Sequence, residues 1–135
     1  MAILFTSVLM VNCGRLDPCG NDVVARIPSP SGSQQVIVFE RNCGATTGFS
    51  TQVSVLPRGE DLREQPSFWT ATEQGNALIV DGDHGTAPPG PGGGPKVDVT
   101  WNADHEVVLT YHPRARVFRA VERIGHTRIK HQRAE

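Results

Sequence analysis

Asp81-Gly82-Asp83-His84-Gly85 places two carboxylates and an imidazole on a glycine-bearing turn. Such a set can ligate a divalent cation or exchange protons with a substrate. Asp81 and Asp83 lie two apart, so an extended backbone points both the same way, and His84 joins them only if the loop curls. A calcium loop of the EF-hand kind needs further oxygen ligands and a closing glutamate, and none follows. A transition metal would accept His84 but wants a second strong donor, for which His112 is the candidate. The plainer alternative is a strand-ending turn in which both aspartates accept backbone N–H groups. The expectation is no bound metal, with a small metal-assisted enzyme built on this turn as the rival reading.

His112-Pro113-Arg114-Ala115-Arg116 supplies the second cluster. Extended, Arg114 and Arg116 share a face, and two guanidiniums can grip a carboxylate or phosphate. If Asp81, Asp83 or His84 lies close, the same arginines form an internal ion-pair network instead, which is the preferred expectation. Cys43-Gly44-Ala45-Thr46-Thr47-Gly48 offers hydroxyls and free amides for an anion-binding nest, or simply a hairpin loop. It lacks the lysine and following helix of a phosphate loop. No nucleophile elbow, Ser/His/Asp set or HExxH helix is present. No catalytic residue and no cofactor are expected.

The elements that must position these groups fit one domain, since 135 residues cannot supply two sizeable cores. The net charge of −1 gives no general pull toward nucleic acid. Seven of the thirteen cations (Arg114, Arg116, Arg119, Arg123, Arg128, Lys130 and Arg133) crowd the last 22 residues, opposed only by Glu122 and Glu135. A solvated last strand with a frayed basic tail is expected, with a docking surface for an anionic partner as the sharper alternative. The arginines are not read as a stacking surface for single-stranded nucleic acid.

Residues 2–11, AILFTSVLMV, carry no charge and end at Asn12-Cys13-Gly14. As a helix they would rise about 15 Å, half a bilayer core, so they have the length of a signal-peptide apolar region rather than a membrane span. A cysteine at the end of such a run resembles a bacterial lipoprotein's acylation site, although no Lys or Arg precedes it and Met10-Val11-Asn12 departs from the usual small residues. The alternative is a first β-strand. Residues 1–13 are thus read as a signal-like segment and 14–135 as a single β domain. With Cys13 acylated, Cys19 and Cys43 remain an even pair, which suits an oxidising compartment. No spacing of these cysteines suggests zinc.

From Val23 onward a period of two dominates. Phe49, Thr51, Val53 and Val55 alternate with Ser50, Gln52 and Ser54, predicting one core face and one polar face. Val97, Val99 and Trp101, then Val107, Leu109 and Tyr111, predict a hairpin about Asn102-Ala103-Asp104. Residues 35–41 are apolar on both faces and read as a central strand. Residues 23–27, 77–81, 116–121 and 122–130 supply the others. Ile124 and Ile129 face opposite sides unless Gly125 carries a bulge. Residues 57–75 form a surface excursion with the aromatic patch Ser67-Phe68-Trp69. Residues 82–95, with six glycines and four prolines, read as a loop with little packing of its own. The expected fold is all-β: an antiparallel sandwich or small barrel of about seven to eight strands.

The stretch Val38-Phe39-Glu40-Arg41-Asn42-Cys43-Gly44-Ala45-Thr46-Thr47-Gly48-Phe49-Ser50-Thr51-Gln52-Val53-Ser54-Val55-Leu56 resembles a family of small bacterial exported, lipoprotein-like β proteins. Cys19-Gly20-Asn21, Ser29-Pro30-Ser31-Gly32, Asp81-Gly82-Asp83-His84-Gly85 and the run from Tyr111 to Phe118 extend the likeness over most of the chain after residue 13. It implies an exported β domain with a Cys19–Cys43 bridge and implies no activity. The functional expectation is a non-enzymatic envelope protein, periplasmic or membrane-anchored through Cys13, that binds a protein, glycan or lipid component. A purely structural lipoprotein is the third reading.

Overall fold

The computed structural model describes residues 20–42, 49–62 and 75–135, which form nine strands and no helix. In chain order they are β1 (Gly20–Pro28), β2 (Gln34–Asn42), β3 (Ser50–Pro57), β4 (Leu78–Asp81), β5 (Val97–Ala103), β6 (Glu106–Tyr111), β7 (Arg116–Ala120), β8 (Arg123–Ile124) and β9 (Thr127–Arg133). They make two sheets, β1-β2-β3-β4-β7 and β5-β6-β9-β8, and the pairing does not close into a barrel.

The first sheet is antiparallel throughout. The second is not: β9 runs parallel to β6, with Val107 beside Ile129 and Leu109 beside His131. This corrects the all-antiparallel expectation and raises the strand count. The parallel pair arises because β7 and the short β8 lie between β6 and β9 in sequence, long enough to carry the chain across to the other sheet and back.

The core draws on both sheets. Val36, Val38, Val53, Val55, Leu78 and Val80 from one meet Val107, Leu109, Tyr111 and Ile129 from the other, with Val97, Val99 and Trp101 partly buried against them. The predicted β5–β6 hairpin is present with Val97 opposite Tyr111, Val99 opposite Leu109 and Trp101 opposite Val107. Its turn lies one step later than expected, at Asp104-His105, because a register shift between Trp101 and Ala103 absorbs a residue. Ile124 and Ile129 both reach the core, since Gly125 (φ +57°) stands in a turn that reverses the chain between them.

Three further expectations change. Gln52 and Ser54, assigned to a polar solvent face, are 2% and 1% exposed, so β3 is buried on both sides. The basic end is not frayed: β9 continues to Arg133, and the Ala134 N–H donates to the Tyr111 carbonyl (2.8 Å). The glycine-rich connection from β4 to β5 is packed. Ala87 is 1% exposed, Pro95 is fully buried, Pro89 bridges to Pro95, and the Gly90 N–H donates to the Gly94 carbonyl (2.7 Å).

One end of the molecule is clamped shut. The Ser31 N–H donates to Asp104 Oδ1 (2.6 Å), tying the β1–β2 turn to the β5–β6 turn. Thr127 Oγ1 donates to Gln34 Oε1, and Trp101 Nε1 donates to the Ile27 carbonyl (3.1 Å). The groups singled out in the sequence lie at the other end.

Candidate functional site

Asp81 ends β4 and Arg116 begins β7, and the two strands pair with these residues directly opposite. Arg116 therefore meets Asp81 in a two-point contact, Nε to Oδ1 at 3.1 Å and Nη2 to Oδ2 at 2.6 Å. Its Nη1 lies 3.9 Å from Asp83. Asp81 Oδ1 also accepts the Asp83 N–H (2.9 Å). Burial pushes the Asp81 carboxyl up, but the Arg116 hydrogen bond, the Asp83 amide and the charges of Arg116 and His84 outweigh it and hold it below the usual carboxylate range. Asp81 is thus ionised and committed, which makes it a poor general base and a poor metal ligand.

The turn beyond it is strained. The Gly85 N–H donates to the Gly82 carbonyl (3.1 Å), and the two residues between them, Asp83 (φ +48°) and His84 (φ +55°), are both left-handed. Asp and His tolerate this region better than most side chains, at a cost on the order of 1 kcal/mol each. Asp83 accepts the Thr86 hydroxyl (3.3 Å) rather than an amide, and His84 is exposed.

Two rings complete the site. The β4–β7 ladder steps from Ile79 opposite Arg119 to Val80 opposite Val117, leaving Phe118 as the extra residue of a bulge. A bulge re-aims side chains, and Phe118 is 60% exposed with the Arg116 guanidinium 4.9 Å from its ring centre. Phe49, just before β3, is 37% exposed. The 82–95 connection is drawn tightly over it: a Cβ at Gly93 (φ +112°) would stand 2.7 Å from the Phe49 ring. Thr51 Oγ1 fastens the same connection by donating to the Pro95 carbonyl (2.6 Å).

Between the strained turn and the glycine-rich connection opens a cleft of about 570 Å³, lined by Phe49, Asp81, Asp83, His84, Pro89 and Arg116 among others. Of the residues expected to act together, Asp81, Asp83, His84 and Arg116 do meet here. Arg114 and His112 do not line the cleft; His112 Nδ1 accepts the Arg114 N–H (3.0 Å) within its own turn. Among the described residues no three His, Cys, Asp or Glu side chains are grouped to hold a cation. Cys13, Cys19, Cys43 and the glycine–threonine nest beginning at Cys43 lie outside the described residues.

The sequence places Phe49 on the core face with Thr51, Val53 and Val55, which its 37% exposure corrects, and assigns Phe118 no role of its own. Phe118 sits between Arg116 and Arg119, a visible signal, but its exposure depends on a bulge that periodicity does not show. The remaining cations disperse: Arg119 donates to the Gly75 carbonyl (2.8 Å), Lys130 pairs with Glu106 (3.2 Å), and Arg133 stacks on Tyr111 (4.7 Å). A shallow depression of about 670 Å³ beside β8 and β9 carries Arg123, Arg128 and Lys130 but also Glu122, and no aromatic ring besides His131. The chain matches no family model, no curated protein and no solved structure.

Proposed function

We propose that this chain is a non-enzymatic domain of the bacterial cell envelope, a two-sheet sandwich that binds a glycan in the cleft lined by Phe49, Asp81 and Arg116, with Phe118 beside Arg116 at its edge. One observation carries the reading: two exposed rings flank an ion-paired Asp81–Arg116 set whose geometry is already fixed. Sugar rings offer apolar C–H faces to aromatic planes and hydroxyl edges to carboxylates and guanidinium groups. The cleft is concave and falls in the range of small-ligand sites. Asp81 and Asp83 together outweigh Arg116, so the site repels the phosphates of a lipid surface.

The envelope location is supported by the register of β1 and β2. Gly20 pairs with Asn42 and Asn21 with Arg41 at the end of the ladder, and Cys19 and Cys43 are the next residues of the sequence, outside the described part. A bridge there implies an oxidising compartment, and Cys13 remains the acylation site that would hold the domain at the membrane. Free thiols counted with and without reductant check the bridge.

The test of function is retardation of the protein in gels containing solubilised cell-wall glycan, beside vesicles of anionic lipid. Retardation by glycan that is lost in Phe49→Ala and Phe118→Ala supports the reading. Retention by vesicles alone, or none by glycan, overturns it.

A further inference from the structure

Arg123 stands directly opposite Arg128 in the antiparallel β8–β9 pair. Ile124, Thr127 and Ile129 point into the molecule, so the two arginines share the outer face, where both are exposed. Like charges opposed in this way repel. Carboxylates are close by, yet they do not relieve the repulsion. Glu106 lies beside Arg128 in the β6–β9 ladder, but it is taken by Lys130 (3.2 Å) and Asn102 (3.1 Å). Glu122 lines the same depression, yet among the described residues neither guanidinium forms an ion pair. Elsewhere Arg26, Lys96, Arg116 and Lys130 each meet a carboxylate.

The backbone adds a donor. The Arg128 and Ala134 N–H groups donate toward β6, to the His105 and Tyr111 carbonyls. Successive residues of a strand turn their amides to alternate edges, so Ile129 and His131 turn theirs away from β6. The Ile129 N–H accordingly donates to the Glu122 carbonyl (2.9 Å). β8 pairs only with Thr127 and Arg128. The His131 amide therefore faces the edge where β8 has stopped, beside the depression of about 670 Å³ that His131 lines with Arg123, Arg128 and Lys130.

We propose that this depression binds a phosphate group, gripped by Arg123 and Arg128 with the His131 amide at its edge. Each guanidinium presents a planar fork that matches two oxygens of a phosphate. A phosphate dianion also supplies the two negative charges that the opposed pair lacks, whereas a carboxylate supplies one. The shared chemistry covers a soluble phosphate ester and the headgroup of an anionic lipid. The site lies at the end of the molecule where Thr127 meets Gln34, away from the Asp81–Arg116 cleft, and it does not depend on the glycan reading.

Inorganic phosphate titrated into the full-length protein, against sodium chloride at matched ionic strength, tests the site. Phosphate should move the amide resonances of Arg123, Arg128 and His131 saturably and raise Tm by on the order of 5 °C at saturation. Arg123→Gln and Arg128→Gln should each weaken phosphate binding about ten-fold or more. In chloride alone each variant should melt at or above the wild-type temperature, because it removes one of two repelling charges. A merely structural arginine would show a loss there instead. Arg114→Gln, remote from the depression, should respond to phosphate as wild type does. Equal Tm in phosphate and chloride, or a phosphate gain that survives in both Arg123→Gln and Arg128→Gln, overturns the proposal. Sedimentation with phosphatidylglycerol vesicles that is lost in the two variants names a lipid headgroup as the source. Saturation by phosphate and glycerol phosphate without vesicle binding names a soluble ester.

Discussion

The two ends of this molecule are built on opposite plans. At one end the turn tips hydrogen-bond across the sheets through Ser31 and Asp104 and through Gln34 and Thr127, with Trp101 anchored on Ile27. A groove of about 280 Å³ remains there, beside Val55, Leu56 and Ile124. At the other end the tie between turns is long, Thr86 Oγ1 donating to the Arg114 carbonyl at 3.5 Å. The β4–β5 connection instead spreads across the strand ends, two left-handed non-glycine residues persist at Asp83 and His84, and Phe49 and Phe118 stand in solvent beside an ion pair. The clamped end uses polar groups to satisfy one another. The open end leaves rings and a carboxylate facing water, a cost that a purely structural role does not require.

The comparison breaks or sharpens under mutation. The largest loss should come from Trp101→Ala at the clamped end, about 3 kcal/mol, the low side for a tryptophan because the ring is only partly buried. Chemical denaturation checks it, and a wild-type midpoint would show that the clamp is dispensable. At the open end Gly93→Ala should cost about 2 kcal/mol, since it places a Cβ against Phe49 at a left-handed φ. It should also displace the Phe49 ring, seen as shifted aromatic proton resonances, so the same variant weakens the cleft.

Asp81→Asn should produce a smaller effect that depends on pH. The Asp81 carboxyl is lowered in the fold, so its contribution is present above the unfolded value, near pH 4, and disappears as pH falls through the lower folded value. Wild type and variant should therefore differ in Tm at pH 7 and converge as pH falls through that lowered value. A constant difference across that window would remove Asp81 from the ion pair.

How much of this was legible in the sequence depends on where each determinant resides. The β5–β6 hairpin is readable because Val97, Val99, Trp101, Val107, Leu109 and Tyr111 alternate and one face decides their burial. The meeting of Asp81, Asp83 and Arg116 is readable as an expectation of opposite charges, but their partnership is set by the β4–β7 register, which no local pattern fixes. Gln52 and Ser54 look solvated because they are polar; their burial requires a cover that only tertiary structure supplies. The parallel β6–β9 pair joins segments with a whole strand of the other sheet between them, and alternation carries no direction. The facing of Phe118 is not legible, because it rests on a single bulged residue and one extra residue reverses which face a side chain occupies.

The central claim is that the open end is a glycan-binding cleft, and amide chemical-shift mapping tests it most directly. Titrating the isotope-labelled protein with soluble cell-wall glycan fragments should move the resonances of Phe49, Asp81 to Gly85, Gly93, and Arg116 to Phe118. Those at Ser31, Gln34, Asp104 and Thr127 should stay in place. Shifts confined to Arg123, Arg128 and Lys130, or no saturable shift at the cleft, would contradict the account.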